Sequence, residues 1–138
     1  MDITRMTEFD LHALKALYQD VGWHVYLKNM KQFETMFKRS QLVLGAEVDA
    51  KLVGLVRVVG DGVHIAYIQD LLVMTTYQRQ GIGRALLEAA LRAVDHIRQK
   101  VLITDLNDQR AHRFYEAVGL KNATEAGISC FVHIEKSG

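Results

Sequence analysis

Residues 66–97, AYIQDLLVMTTYQRQGIGRALLEAALRAVDHI, constrain the fold more than any other stretch of this chain. Ile68 to Met74 is an apolar run of strand length, and Thr75 to Gln80 is a polar turn. Gly81-Ile82-Gly83 then opens a segment with the helical period, its apolar side formed by Ile82, Ala85, Leu86, Ala89, Ala93, Val94 and Ile97. Arg84, Glu88 and Arg92 recur at i,i+4 on the outer side. A strand, a glycine turn and a helix start gather free backbone N–H groups at the positive end of a helix dipole. That geometry binds anions, most often a phosphate or diphosphate.

The rest of the chain reads as a frame for this unit. A short strand at residues 2–5 leads to Thr7, a candidate helix cap with Asp10 three residues on, and a helix carrying Phe9, Leu11, Leu14, Leu17 and Tyr18 that ends before Gly22. Trp23, Tyr26 and Leu27 follow in a loop or short helix, and a second helix covers 31–39 with Phe33, Met36 and Phe37 on its apolar face. Strands at 41–48, 52–59 and 63–74, joined by Asp49-Ala50-Lys51 and Gly60-Asp61-Gly62, form an antiparallel meander. Beyond the central helix, KVLITDL at 100–106 reads as a buried strand reached by a crossover and so parallel to the strand before that helix. A helix from Asp108 to Val118 ends at Gly119 in a left-handed cap, and ISCFVHI forms a last strand with a hairpin partner near 121–124. The expectation is one α/β (α+β) domain over residues 1–138, built on a mixed, mostly antiparallel sheet.

Composition narrows the function. A chain of 138 residues suits one domain, and Lys plus Arg 17 against Asp plus Glu 16 gives no basic surface for nucleic acid. The single cysteine, Cys130, reads as an inert core residue in a reducing compartment, and His96, His112 and His133 have no metal-ligand spacing, so no metal is expected. The start MDITRMTEFD has no secretory pattern and no apolar run approaches membrane-spanning length, so a soluble cytoplasmic domain is expected.

The glycine turn admits several readings. Gly81 and Gly83 by themselves could merely permit a tight turn and close helix packing. A Walker-type loop needs Lys-Ser or Lys-Thr after its last glycine, and this chain has neither. A dinucleotide fingerprint needs Gly or Ala at 86, where Leu86 stands; Asp105 lies where a ribose-binding acid would sit, but the six-residue polar turn and the preceding meander do not form a βαβ half.

Gln78-Arg79-Gln80-Gly81-Ile82-Gly83 resembles the Gln/Arg-x-x-Gly-x-Gly/Ala motif of the GNAT (GCN5-related N-acetyltransferase) superfamily. VMTTYQRQGIGRALL is similar to that family's strand 4 to helix 3 unit, and RAHRFYEAVGL, residues 110–120, is similar to its second signature. Gly22-Trp23 with Tyr26, and Gln69-Asp70-Leu71, resemble the compact bacterial members, and the likeness covers essentially the whole chain. Two departures stand out. Thr75 replaces a usual proline, and Asp108 replaces a usual asparagine, with Asn107 one position earlier.

The resemblance implies a GNAT fold splayed between strands 4 and 5 and an N-acetyltransferase using acetyl-CoA as co-substrate. It implies that Leu72, Val73 and Met74 offer backbone groups to the pantetheine arm, one N–H supporting the thioester oxyanion. Gln78, Arg79, Gln80, Gly81, Ile82, Gly83 and Arg84 would hold the diphosphate, and Asn107 is a further candidate cofactor contact. Tyr115 would be the general acid that protonates the departing sulfur. Asp70 is a candidate base, weighed equally against an acid satisfied by a neighbouring backbone or basic partner, with His64 and His24 as weaker candidates. Trp23 and Tyr26 would line the site of a small-molecule or peptide amine. A domain that binds acyl-CoA without turnover is the competing class, and exposed sheet edges near the C-terminus are compatible with a homodimer.

Overall fold

The computed structural model describes residues 1–135, in two compact units, 1–103 and 104 onward. The first unit is a five-stranded sheet in the order β1-β2-β3-β4-β5: β1 (Asp2–Arg5), β2 (Leu42–Val48), β3 (Lys51–Gly60), β4 (Ile65–Val73) and β5 (Gln99–Val101). The first four are antiparallel neighbours, whereas β5 runs parallel to β4 after the crossover through helix α3 (Ile82–Ala93). Helices α1 (Leu11–Asp20) and α2 (Met30–Lys38) precede β2, with a 3₁₀ turn, His24–Leu27, between them.

The turn between β2 and β3 is tighter than its sequence suggests. Val48 pairs with Lys51, leaving only Asp49 (φ 50°) and Ala50 (φ 64°) in the turn, the doubly left-handed geometry that matches strand twist. Helices cover both faces of β3, which explains its near-continuous apolar sequence. Gly54 faces α3, where a Cβ would come within 3.0 Å of Leu86 and 3.2 Å of Ile82, while Arg57, on the other face, looks toward α1 and α2. The α1 and α2 side is an aromatic cluster in which Tyr18, Phe33 and Phe37 are buried and Phe9 stacks on Phe37 at 5.6 Å. On α3 the buried residues are Ile82, Leu86, Leu87 and Ala90, so the stripe turns toward Leu87 and Ala90 and away from Ala85 and Ala89.

Pairing between β4 and β5 ends early. The last partners are Tyr67 and Val101, and β4 continues to Val73 with no described strand beside it on that edge. The expected splay between strands 4 and 5 lies there.

Three expectations need correction. Thr7 does not cap α1; Asp10 does, its carboxylate accepting from the His12 and Ala13 N–H groups. The strand expected over 100–106 stops at Val101, because Asp105 builds a turn by accepting from Asn107 N–H through its carboxylate and from Asp108 N–H through its carbonyl. In the second unit, where α4 (Gln109–Val118) ends at Gly119 (φ 108°), the C-terminal hairpin is absent among the described residues. Asn122 accepts from the Thr124 N–H and hydroxyl, and its carbonyl accepts from Glu125 and Ala126 N–H, winding 123–127 into turns that consume the groups a ladder needs. Phe131 is therefore 94% exposed, and Cys130 is exposed and not a core residue.

Candidate active site

The helix start and its approach define one part of the site. Gly81 is the N-cap of α3 at φ 84°, in the left-handed region, with nothing within 4 Å of where a Cβ would stand. It offers no side-chain cap, so the N–H groups of Ile82, Gly83 and Arg84 begin the helix without one. Arg79, at φ 65°, gives the polar turn a second left-handed residue, and Gln78, Arg79 and Gln80 are exposed. The Arg84 guanidinium donates to Glu88 at 2.7 Å.

Thr75, in the place of the family's proline, holds the bend differently. Its N–H donates to the Asp20 carboxylate at 2.7 Å and its hydroxyl to the same group at 3.4 Å. Proline fixes φ but has no N–H. Here a carboxylate at the end of α1 does the fastening.

The β4 end divides its backbone groups between two edges. Met74 N–H donates to Val53 C=O at 2.8 Å, and Met74 C=O accepts from Tyr77 N–H at 2.9 Å. Leu72 pairs with Leu55. In an antiparallel ladder successive residues face alternate edges, so Val73 turns its N–H and C=O away from β3, toward the edge that β5 leaves uncovered. Gln78 Nε2 donates to that Val73 carbonyl at 2.9 Å. Met74 thus has both backbone groups engaged within the chain, and Val73 has the outward N–H.

Asp70 is 1% exposed and lies under the aromatic cluster. One carboxylate oxygen accepts from Arg57 Nε at 2.7 Å and from the Tyr18 hydroxyl at 3.0 Å; the other accepts from the Tyr26 hydroxyl at 2.8 Å. Arg57, 6% exposed, also donates to Ser40 Oγ at 3.3 Å. Burial, the largest influence, opposes the Arg57 charge, but the charge and hydrogen bond of Asp70 together with the Tyr18 and Tyr26 phenols raise its pKa. Burial, then the Asp70 charge, push both the Tyr18 and Tyr26 phenols up, so each keeps its proton. Asp70 thus has a basic partner, Arg57, and two phenol donors, and almost none of it is exposed. Trp23 and Tyr26 are half-buried, their rings 6.0 and 5.4 Å from that of Tyr18. His24 and His64 are exposed.

Arg57 and Tyr18 were not among the expected site residues. The signal for Arg57 was present: it is the one charge within LVGLVRVVG, and a charge in a run buried on both faces requires a partner.

In the second unit, Asp108 caps α4 by accepting from Ala111 N–H at 3.0 Å, which explains why an acid serves at this position. Asn107 is exposed. Tyr115 is half-buried beside Phe114, with ring centroids 5.3 Å apart. Burial, and next the Asp108 charge, raise its pKa, so the phenol carries its proton at neutral pH. Among the described residues no three His, Cys, Asp or Glu side chains gather to hold a metal, and no helix is long and apolar enough to cross a membrane.

Comparison with known proteins bears on the fold and the family. A GNAT-family acetyltransferase from Streptococcus pneumoniae TIGR4 superposes with a TM-score of 0.83 over 99% of this chain and 98% of that one, at 30% identity. An aminoglycoside acetyltransferase from an uncultured soil metagenomic sample, solved with sisomicin, superposes with a TM-score of 0.73 over 99% and 95% of the two chains; at 22% identity this is a likeness of fold. In sequence, the chain is 30% identical to histone acetyltransferase TAP1 of Glycine max over 83% of its length and 53% of that protein's. The chain thus spans about half the length of the curated relatives it matches. Residues 7–120 match the acetyltransferase (GNAT) family through the β4 edge, the glycine turn and the α4 signature alike. The chain belongs to the GNAT family of acetyltransferases.

Proposed function

We propose that the domain transfers an acetyl group from acetyl-CoA to a primary amine of a small molecule or peptide, by direct attack in a ternary complex, and that it does so in the cytoplasm. The observation that carries this reading is a start of α3 with no side-chain cap, following a β4 edge beside which no described strand lies past Tyr67. Acetyl-CoA supplies a thioester carbonyl and a thiolate leaving group. The backbone N–H groups at Ile82, Gly83 and Arg84, with Gln78, Arg79, Gln80 and Gly81, receive the diphosphate. Val73 N–H, outward on β4, supports the oxyanion, and Leu72 and Met74 fix it by bonding to β3. Asn107 is a further cofactor contact.

As the C–N bond forms and the C–S bond breaks, the amine gives one proton to water, the thiolate takes one from Tyr115, and the Tyr115 phenolate recovers a proton from water. Its raised pKa keeps that proton in place until the thiolate appears. Asp70 acts through Tyr26, not on the amine, and Tyr26 and Trp23 form the acceptor wall. Holding both reactants in line can supply on the order of 7–11 kcal/mol of the barrier without metal or covalent intermediate.

Native mass spectrometry should detect retained CoA, and a thiol-release panel of polyamines, amino sugars, amino acids, arylalkylamines and peptides should identify an acceptor. Tyr115→Phe should lower turnover about 100-fold, within the range for general acids, with CoA affinity nearly unchanged. An unchanged rate removes Tyr115 from the acid role. CoA retained without thiol release from any acceptor favours the non-catalytic acyl-CoA-binding domain.

A further inference from the structure

The β3–β4 ladder contains an irregularity at the acceptor side. Arg57 pairs with Asp70 but the next residue, Val58, pairs with Ile68, so Gln69 is an extra residue in β4. In a regular strand, residues 69 and 70 would point to opposite faces. Here Gln69 Nε2 donates to the Tyr26 phenol oxygen at 3.2 Å, and that phenol donates to Asp70 at 2.8 Å. Two successive residues of one strand meet on a single hydroxyl, which an unbroken pleat does not allow. The bulge also changes the facing of the strand: Ile68 shares a face with Val58 and Gly54, toward α3, while Asp70 turns toward α1.

The remaining members of this network lie on firm elements. Tyr18 belongs to α1 and Arg57 to β3; Ser40, just past α2, accepts from Arg57 and donates to Met36 C=O at 2.7 Å. Only Tyr26 comes from a single 3₁₀ turn, which has no side-chain cap at Trp23. A buried ion pair adds little stability over well-packed apolar residues of the same volume, so this one is better explained by what it holds in place.

We infer that the Arg57–Asp70 pair and the Gln69 bulge form a positioning device that anchors the 23–27 turn and so sets the acceptor side of the site; this rests on reading Trp23 and Tyr26 as the acceptor wall. Arg57, Asp70, Tyr18 and Gln69 are positioning residues that act through Tyr26. The Tyr26 proton is committed to Asp70, so the phenol has no donor for a ligand. What the wall presents to an acceptor is two aromatic rings and the Gln69 carboxamide, which suits an alkyl- or arylalkylamine with its ammonium over a ring.

Trp23 is the only tryptophan of the chain, so its fluorescence reports on this turn directly. Tyr26→Phe removes the tether and keeps the ring; Gln69→Ala removes the exposed donor at little risk to folding. Acrylamide quenching of Trp23 should rise about twofold in Tyr26→Phe and less in Gln69→Ala. The acceptor KM should rise roughly fivefold to tenfold in Tyr26→Phe, the scale of one net hydrogen bond, while the acetyl-CoA KM stays constant. Unchanged quenching in both variants, or equal changes in the two KM values, overturns the inference. If the wild type turns over no acceptor, the enzyme reading fails, and the quenching comparison alone still decides whether the turn is anchored.

Discussion

Removing the Asp70 carboxylate should be among the costliest single changes in this protein. The Arg57 and Asp70 side chains are 8% and 1% exposed, with 2.7 Å between Nε and the carboxylate. Asp70→Ala leaves a buried guanidinium without its counter-charge, a loss of about 3–5 kcal/mol. It also leaves the buried Tyr18 hydroxyl without an acceptor, which costs about 1–3 kcal/mol more; Tyr26, half-buried, can turn to water. A total of about 4–8 kcal/mol is a large part of the roughly 5–15 kcal/mol that holds an ordinary domain together. Arg57→Met should cost about 3 kcal/mol, since the carboxylate keeps its two phenol donors. The double variant Arg57→Met/Asp70→Leu buries no charge and should be at least about 3 kcal/mol more stable than the sum of the single losses implies. Urea unfolding at pH 7, followed by far-UV circular dichroism and by Trp23 fluorescence, measures all three. Additive losses, or a loss under about 1 kcal/mol for Asp70→Ala, would mean that water reaches the pair and that the burial argument is wrong.

Three further outcomes follow from local geometry. Ala50→Gly should raise stability by about 1 kcal/mol, because alanine stands at φ 64° where glycine carries no Cβ penalty; thermal unfolding should shift up by about 3 °C, and no shift would mean that the turn is unstrained. Asp61 accepts from Val63, His64 and Ile65 N–H, and those bonds lower its pKa from 3.8 to about 2. Its stabilising effect is therefore full above about pH 4 and fades as pH falls through about 2, so the deficit of Asp61→Ala should shrink over that window and stay constant from pH 5 to 7. Asp20→Ala should loosen the Thr75 bend, raising the acetyl-CoA KM severalfold while thermal stability falls by less than for Asp70→Ala; Thr75→Pro, which fixes φ but deletes the donor, should recover part of the loss only in the Asp20→Ala background.

What was legible in the sequence was local. The strand–turn–glycine–helix unit, the three-strand meander and the crossover to a parallel strand follow from apolar period, turn residues and connection length, each carried by neighbours in sequence. Gly119 at the end of α4 belongs to the same class, since a left-handed cap selects glycine through its own backbone. The misreadings were also local competitions, won by side chains that bond their own backbone: Asp10 took the cap from Thr7, and Asp105 and Asn122 bent segments whose apolar content suggested strands.

Tertiary structure decided how far each site residue can act. Asp70 reads in sequence as an acid before an anion-binding turn. Only the fold brings Arg57, Tyr18 and Tyr26 to it, from partners 13, 52 and 44 residues away, and closes it from solvent. Likewise, the left-handed conformation at Gly81 was legible in the sequence because glycine adopts it without a Cβ penalty, but Leu72, Val73 and Met74 were left equivalent. The ladder separates them, because its alternation gives Met74 N–H to β3 and leaves Val73 facing the open edge. Backbone conformation is a property of a residue and its neighbours, so the sequence by itself determined the glycine turn and the helix that follows it. Burial, charge pairing and the direction of an N–H depend on strands distant in sequence, and those only the tertiary structure could assign.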